Sequence, residues 1–523
     1  MSVRTRKWII VLTVVAFMLG VPMVAYRYLP EQEDSFFTLY KDNCAICHGE
    51  NLEGSPQGPA LVGVDLSHGD TVSDIRMGIA EGYPSGGMPA WSDVLRAGQL
   101  SSLAILVSEK RLNFDMTDLF DAVEIILPVD AIVTEEYNFR IEEFVANIDP
   151  YPFSIAPMPD GGFLLTEKTR GISIISPEGE QSALIEGTPT AYDDGLRLGN
   201  LEVGFGWLLD IALHPDYENN GWVYLHYGDR CGDGCNRANR GLFLPVSMNR
   251  LERARIRDGQ WVEVETIWSA EPNTYTSMPD VGAGGRIAFD DQGHVFLSIG
   301  MKGSSNYGGI QDLSLPYGKI HRVNDDGSVP ADNPFVVELG TSVEPSPGQT
   351  TDAMQTIWTY GHRSPQGLEF NFLTGELWGS EMGPRGGDEV NLLLPGRNYG
   401  WPLTSKGVNY NGTAVEYGTN LGIEFDINDI EQPVVDFSPS PAISSFVFYS
   451  GNAFSNWQDN IIIGSLKARE LYWLVIEDDQ LVYKETLIKG LARIRDIEIG
   501  ADGLIYLLLE NQAGGKIVRL VPE

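Results

Sequence analysis

The residues best placed to do chemistry are two cysteines followed directly by a histidine. Cys44 and Cys47 are separated by two residues, and His48 comes next. This is the pattern of c-type haem attachment, in which the thiols form thioethers with the haem vinyl groups and the histidine becomes an axial iron ligand. The alternative is half of a zinc site, but zinc needs two further Cys or His ligands and His68 is the only other histidine nearby. The motif therefore predicts one covalently bound haem c.

The second axial ligand of the iron is expected in a later loop. Residues 86–91 contain Met88, flanked by glycines and a proline that hold a loop rigidly. A soft thioether opposite a histidine raises the reduction potential of the haem. Met77 is the competing candidate, and its alternative role is packing on a helix. We therefore predict His48 and Met88 as the iron ligands.

Helical periodicity before and after this motif predicts helices on both sides of the haem-binding segment. Residues 35–40 and 95–112 carry the helical pattern, and the turn at 58–61 follows the attachment motif. Residues 31–115 thus resemble a single-haem class I cytochrome c, which implies a small all-α domain.

The rest of the chain repeats one local pattern. A turn rich in Asp, Gly or Asn precedes a short apolar strand six times, with strands near residues 163, 222, 294, 376, 461 and 504. The unequal spacing favours blades of four strands with long loops over a solenoid of fixed period. A β-sandwich is the alternative, but it does not require the same signature six times. We predict a six-bladed β-propeller over residues 137–523, after a linker at 116–136.

Several motifs in the propeller half occur in the order typical of one enzyme family. They occupy residues 206–217, 360–368, 380–384, 388–391 and 398–402. This half resembles the soluble quinoprotein glucose dehydrogenases and aldose sugar dehydrogenases, which use pyrroloquinoline quinone (PQQ). The resemblance implies oxidation of a sugar or alcohol.

The resemblance also implies the cofactor sites. PQQ is a planar ortho-quinone with three carboxylates, so its site needs fixed cations, and the planar fork of arginine suits carboxylates best. The cations at the family's anion-binding positions are Arg363, Lys467, Arg493 and Arg495. A calcium ion is implied as well, since hard oxygen donors suit Ca²⁺. Its implied ligands are the backbone oxygens of Gly383 and Pro384, the carboxylates of Asp388 and Glu389, and the Tyr399 carbonyl.

The substrate side departs from the family pattern. The family's catalytic base is a histidine shortly before the Gly-Arg pair that opens the third blade, and the position aligned without gaps is Gly282. General-base help is typically worth about 10² to 10⁴ in rate. Asp280 is the predicted replacement, with Asp193 or Asp194 as other options, and turn capping is the alternative role for Asp280. Three further family positions differ, around residues 204–206 and at 301 and 364.

The remaining cysteines form a second close pair. Cys231 and Cys235 enclose three residues, and the chain contains four cysteines in all. In an oxidising compartment a disulfide is favoured over a redox-active pair. We expect a Cys231–Cys235 disulfide.

Charge and the N-terminus restrict location and partners. The chain carries 72 acidic and 36 basic residues, a net charge of −36, which opposes nucleic-acid binding.

Basic residues within 1–7 precede the uncharged stretch 8–26, long enough for about 28 Å of helix. We expect a signal anchor over residues 1–30, with a cleaved signal peptide as the alternative. Either places the body on the periplasmic side of the inner membrane.

Together these features predict a multidomain quinohaemoprotein oxidoreductase. An aldose sugar or another alcohol would be oxidised with PQQ, and the electrons would pass to the in-chain haem and on to a respiratory-chain acceptor. The altered substrate side leaves two alternatives. One is a dehydrogenase with a non-sugar substrate, and the other is a catalytically degenerate propeller that serves as a binding module fused to an electron-carrying cytochrome c.

Overall fold

The computed structural model describes residues 35–114, 124–198, 201–231, 235, 244–302, 307–336, 354–415 and 417–523. These residues form two compact units. The first contains residues 35–112 with Asn409–Ala414, and the second contains the other described residues from 113 onward. Within these ranges no helix is long and apolar enough to cross a membrane. The anchor predicted over residues 1–30 lies outside them.

The first unit contains four α-helices among its described residues. Its helices are α1 Ser35–Asn43, α2 Ala45–His48, α3 Val72–Glu81 and α4 Ala97–Leu112. A capping box starts α3, in which the Thr71 hydroxyl accepts from the Asp74 backbone N–H and the Asp74 carboxylate accepts from the Thr71 N–H. Arg111, in the last turn of α4, donates to the carbonyls of Leu61 and Val64 at 2.7 and 2.9 Å. The guanidinium thereby fixes the loop that follows the haem motif.

The predicted six-bladed propeller is confirmed in the second unit. Strands β1 Ile132–Val133 and β2 Asn138–Ile148 precede the first blade. Blade 1 contains β3 Pro152–Pro157, β4 Phe163–Glu167 and β5 Gly171–Ile175, and the hairpin β6 Leu196–Leu198 with β7 Leu201–Val203 follows it. Blade 2 contains β8 Leu208–Leu213, β9 Trp222–Arg230, β10 Ser247–Arg257 and β11 Gln260–Ser269, and α5 Tyr217–Asn220 joins its first two strands.

The other four blades follow in the same antiparallel pattern. Blade 3 contains β12 Gly284–Phe289, β13 His294–Ile299, β14 Lys319–Asn324 and β15 Ile357–Tyr360. Blade 4 contains β16 Pro365–Asn371, β17 Glu376–Glu381, β18 Asp388–Leu392 and β19 Val435–Phe437, and α6 Tyr417–Leu421 lies before its last strand. Blade 5 contains β20 Ile443–Phe448, β21 Ile461–Ser465, β22 Leu471–Glu477 and β23 Gln480–Ile488. Blade 6 contains β24 Arg493–Ile499, β25 Ile505–Glu510 and β26 Gly515–Pro522.

The repeated sequence signature marks the second strand of every blade. These strands are buried on both faces, as in β4, β21 and β25, because neighbouring blades cover them from each side. The turn before each second strand contains one residue in the left-handed region, where glycine is favoured. These residues are Gly161, Gly221, Gly293, Gly375, Asp459 and Gly503. Turn and strand together explain why the signature recurs six times.

The ends of the chain close the ring. The first strands of adjacent blades contact one another in the order β3, β8, β12, β16, β20, β24 and back to β3, so they line the axis. Strand β2 pairs with β26, with Ile141 opposite Leu520, and β1 pairs with β2. The sixth blade is therefore completed from the start of the domain, whereas blade 1 has three strands among the described residues. Strand β1 and the buried Ile125 fall in the segment 116–136 predicted as a linker, and both pack on blade 6.

The axis of the ring is crossed by a buried ion-pair network. Arg286 on β12 donates to Asp496 on β24 at 2.7 Å and lies 3.3 Å from Asp210 on β8. Its Nε donates to the Gln366 carbonyl at 2.7 Å. Buried charges are stable when paired and hydrogen-bonded in this way. The network joins four blades, and side chains rather than an open channel occupy this level of the hub.

Candidate functional site

The haem motif lies on the shortest helix of the first unit. Cys44 is the N-cap of α2, and Cys47 and His48 end that helix. His48 Nδ1 lies 2.8 Å from the Pro59 carbonyl oxygen. This contact favours the tautomer with the proton on Nδ1, which leaves the Nε2 lone pair for a metal. A Cβ at Gly58 would lie 2.8 Å from the Cys47 carbonyl oxygen, so the turn after the motif requires glycine there.

The predicted sixth ligand lies in a tight loop. Tyr83 and Met88 exchange two backbone hydrogen bonds of 2.8 and 3.1 Å, and Met88 is half-buried. The Tyr83 ring stacks on His68 with centroids 4.1 Å apart. Met77 does not pack as a buried helix residue, since it is 52% exposed on α3. Two thiols, an imidazole and a thioether are the donor types of a c-type cytochrome, so this unit's residues fit a covalently bound haem.

The predicted propeller site residues lie at one end of the ring. Pairing of Pro152 with Glu167 shows that a first strand begins where the second strand of its blade ends. Loops before first strands and after second strands therefore share one end, which we call the axial end. The predicted cations follow this rule: Arg363 precedes β16, Lys467 follows β21, and Arg493 and Arg495 begin β24.

Three cations surround one carboxylate at the axial end. Glu510 accepts from Arg495 Nε at 2.8 Å and Arg493 Nε at 3.2 Å, and it lies 3.2 Å from Lys168 Nζ. We call these four residues the Glu510 cluster. Burial raises the pKa of a carboxyl, but Arg495, Lys168 and Arg493 together hold the pKa of Glu510 well below its usual range. Burial, aided by Arg495, lowers the pKa of Lys168 to about 7. With Lys168 protonated, the cluster has a formal charge of +2.

Ser364, the residue after Arg363, is connected to this cluster through one glutamine. Arg495 Nη1 donates to Gln366 Oε1 at 3.2 Å, and Gln366 Nε2 donates to Ser364 Oγ at 3.1 Å, beside Arg363. Arg363 itself is buried and donates through Nη1 to the carbonyls of Met382 and Gly383 at 2.9 and 2.7 Å. Lys467 is half-buried, and its backbone N–H donates to the Pro441 carbonyl. The structure thus joins Arg493 and Arg495 in one network, which reaches the residue next to Arg363.

Two of the predicted calcium ligands, Asp388 and the Gly383 carbonyl, accept hydrogen bonds from neighbouring protein groups. Asp388 is buried and accepts from the Gly383 and Ile443 backbone N–H groups at 2.9 and 3.0 Å and from the Ser440 hydroxyl at 2.7 Å. Burial raises the pKa of Asp388 to about 6. The Gly383 carbonyl accepts from Arg363 Nη1 at 2.7 Å.

Glu389 lies opposite Glu381 on the neighbouring strand. Burial and the neighbouring Glu381 raise the pKa of Glu389 well above its usual range. In the described part of the chain, no three His, Cys, Asp or Glu side chains come together to hold a metal ion. Asp388 and Glu389 therefore form no carboxylate cluster for calcium among these residues, and a calcium site that uses the backbone oxygens of Pro384 and Tyr399 stays a prediction.

Asp280 is enclosed in a structural ion pair. One carboxylate oxygen accepts from the Gly206 and Trp207 backbone N–H groups at 2.7 and 2.9 Å. The other accepts from the Ser247 hydroxyl at 3.0 Å and from the ammonium of Lys302. The side chains of Asp280 and Lys302 are both 0% exposed. This geometry does not favour proton abstraction from a substrate by Asp280.

The other candidates for the base are also engaged. Asp194 accepts from the Phe205 backbone N–H at 3.0 Å and from Arg230 at 2.6 Å, and Asp193 accepts from the Gly195 N–H. At Gly282, the aligned family position, a Cβ would lie 3.1 Å from Met301 Cγ. A side chain at position 282 would therefore contact Met301, another position that differs from the family pattern. The second cysteine pair, Cys231 and Cys235, is disulfide-bonded.

Sequence analysis missed Lys168, Lys302 and Glu510. Lys168 follows the second strand of blade 1 as Lys467 follows that of blade 5, so comparing equivalent blade positions could have found it. Glu510 ends the second strand of blade 6 and carries no local motif. Lys302 and its partner Asp280 are 22 residues apart, and no short-range pattern links them.

Comparison with known proteins identifies relatives of both units. The glucose/sorbosone dehydrogenase family matches residues 149–519, and the family of cbb3-type cytochrome c oxidase subunit III matches residues 31–105. Aldose sugar dehydrogenase YliI of Escherichia coli K12 is 30% identical over 406 residues, which cover 77% of this chain and 98% of the relative.

Solved structures show the same propeller. The apo form of the soluble aldose sugar dehydrogenase from Escherichia coli aligns with a TM-score of 0.60 at 29% identity, over 74% of this chain and 100% of that one. The PQQ-bound aldose sugar dehydrogenase from Streptomyces coelicolor aligns with a TM-score of 0.52 at 21% identity, over 76% of this chain and 100% of that one. At that identity the second likeness concerns the fold.

Proposed function

Because the chain belongs to the glucose/sorbosone dehydrogenase family, we propose that it is a quinohaemoprotein that oxidises an aldose sugar or another alcohol and delivers the electrons to its own haem c. When bound, PQQ supplies a two-electron ortho-quinone oxidant and haem c supplies a one-electron acceptor. The chain's own residues bind and orient these groups. A respiratory-chain protein is the proposed final acceptor.

The observation that carries this proposal is the set of three cations, Lys168, Arg493 and Arg495, that the fold brings together at the axial end. Lys168 and Arg495 are buried, Arg493 is partly buried, and all three contact the Glu510 carboxylate. Cations held in fixed positions can pair with a ligand that carries several carboxylates. PQQ carries three carboxylates and a planar ring, so the residues of the axial end fit it. Arg363, whose guanidinium is fixed by two backbone carbonyls, is proposed as a further cation for the same ligand.

The haem half of the proposal depends on His48. Its Nδ1 contact with the Pro59 carbonyl orients the ring and leaves Nε2 for iron, and Met88 supplies the opposite ligand. Haem c attachment and the Cys231–Cys235 disulfide both suit an oxidising compartment. We therefore propose the periplasmic side of the inner membrane as the location, with an anchor or a cleaved signal over residues 1–30.

The missing base favours a second candidate function. Gly282 replaces the family histidine, and Asp280 is closed off by four hydrogen bonds. A propeller with an intact anion site and no base would bind PQQ without oxidising sugar. It would then act as a binding module joined to an electron-carrying cytochrome c.

The test uses the full chain with haem attached. PQQ is titrated by absorbance with and without Ca²⁺, and haem reduction is then followed after adding a panel of aldoses and alcohols. We expect saturable PQQ binding and haem reduction that requires both PQQ and substrate. Saturable PQQ binding without reduction by any substrate supports the second candidate. Haem reduction that ignores PQQ, or no PQQ binding, contradicts the quinoprotein assignment.

A further inference from the structure

A cleft of about 330 Å³ lies beside blade 2, apart from the Glu510 cluster. Its walls are the loop 187–192 on one side and strands β9, β10 and β11 on the other. This volume is at the lower end of the range that holds small molecules. Neither the haem motif nor the predicted cofactor residues line it.

The charged groups that line the cleft are matched within the fold. Arg230 pairs with Asp194 at 2.6 Å. Asp229 lies 3.5 Å from Arg250 and accepts from the Tyr275 hydroxyl at 2.7 Å. An anion or a cation would therefore find no unmatched partner in these two residues. The cleft is suited to a ligand without net charge.

The third charged residue of the lining, Glu252, is buried and bonded to neutral donors. Its carboxyl group accepts from the Tyr227 hydroxyl at 3.0 Å and from Trp261 Nε1 at 2.9 Å. Burial raises the pKa of Glu252, which also favours its neutral form. Two fixed donors orient the carboxyl group, and each carboxyl oxygen keeps a further lone pair for a ligand hydroxyl.

The rest of the lining is hydroxylated and aromatic. Thr188 and Thr190 contribute hydroxyl groups from the loop, and each hydroxyl can donate and accept. The Tyr192 ring is held by Arg230, whose guanidinium carbon lies 3.8 Å from the ring centroid. Mixed donors and acceptors beside an aromatic ring match a molecule that carries many hydroxyls on a carbon framework.

We propose that this cleft binds a neutral polyhydroxylated ligand about the size of one sugar ring. The cleft reaches the axial end, because Gly228, Asp229 and Arg230 of its lining finish the second strand of blade 2. A Cβ at Gly228 would collide with Asp280, so only glycine fits between the cleft and the Asp280–Lys302 pair. Sugar binding here requires no PQQ and is a property separate from the proposed oxidation.

Two filling variants and one matched control test this site. Val264→Trp fills the cleft from β11, where Val264 lines it and is 49% exposed. Thr190→Trp fills it from the opposite wall. Val482→Trp is the control, since Val482 is 53% exposed on β23, the equivalent outer strand of blade 5. Saturation-transfer NMR on the full haem-loaded chain without PQQ measures the affinity for D-glucose, myo-inositol and gluconate.

We expect saturable binding of the two neutral probes and weaker binding of gluconate. Each filling variant should weaken the neutral probes by about tenfold or more, because the added indole occupies the ligand's volume, while the control binds as wild type. No saturable binding overturns the proposal. So does binding that both folded filling variants retain, or stronger binding of gluconate than of glucose. None of these outcomes depends on whether PQQ binds or sugar is oxidised.

Discussion

Replacing Asp280 with asparagine separates a structural role from a catalytic one. The asparagine oxygen can still accept from the Gly206 and Trp207 backbone N–H groups, but its amide nitrogen would face the Lys302 ammonium and the Ser247 hydroxyl. The variant therefore leaves Lys302, whose side chain is 0% exposed, as a buried charge without a carboxylate.

The expected cost follows from that unpaired charge. Removing one partner of a buried ion pair typically costs about 3–5 kcal/mol, and the two retained backbone bonds place the cost of Asp280→Asn at the lower end of that range, about 3 kcal/mol. In a domain of this size each kcal/mol lowers the melting temperature by about 2 °C, so we expect a fall of about 6 °C. The double variant Asp280→Asn/Lys302→Met removes both charges and should recover most of the loss.

Thermal unfolding of the full chain, followed by tryptophan fluorescence, measures this effect. Asp291→Asn is the matched control, because Asp291 is exposed beside the turn of blade 3 and should melt as wild type. PQQ-dependent dye reduction is measured on the same samples, per folded protein. A variant that melts as wild type while its turnover falls by about 10² or more would refute this reasoning and place Asp280 in proton transfer.

Three further changes are expected to have distinct effects. PQQ affinity should fall as pH rises through about 7, because Lys168 loses its positive charge there. In absorbance titrations, Lys168→Met should bind PQQ about tenfold more weakly at pH 6 and should lack this pH dependence. Met88→Ala should lower the haem reduction potential in a redox titration, whereas Met77→Leu should leave it unchanged. Gly282→His combined with Met301→Ala should raise dye-linked sugar turnover by up to about 10², and more than Gly282→His alone, since a Cβ at 282 meets the Met301 side chain.

The propeller could be predicted because its repeated unit is local. Each second strand follows a turn with one left-handed residue, and both features are written within about ten neighbouring residues. Closure of the ring is not local, since β2 pairs with β26 at the far end of the domain. Strand β1 pairs with β2 and lies in the segment that the sequence predicts as a linker. The sequence pattern therefore predicts the six blades, but not the pairing of β2 with β26 that closes the ring.

The site also has a part that local motifs predict and a part that only tertiary structure sets. Arg363, Arg493 and Arg495 stand in recognisable motifs, whereas the links from Arg493 and Arg495 through Glu510 and Gln366 to Ser364 come from the fold. The sequence predicts proton transfer for Asp280, because Asp280 lies two residues before Gly282, the position of the missing histidine. Its actual partner, Lys302, is brought to it only by the fold of blade 3. A carboxylate's role depends on which donors surround it, and those donors are set by tertiary structure.

Glu510 accounts for how the cationic site is held in place before a ligand binds. Without its carboxylate, Lys168, Arg493 and Arg495 would face one another as three like charges, and their repulsion would drive the side chains apart. One carboxylate contacts all three and fixes their positions. A ligand that binds cations positioned in advance requires little rearrangement of the protein, which favours tight and specific recognition. Glu510 is therefore a positioning residue of the PQQ site that we propose.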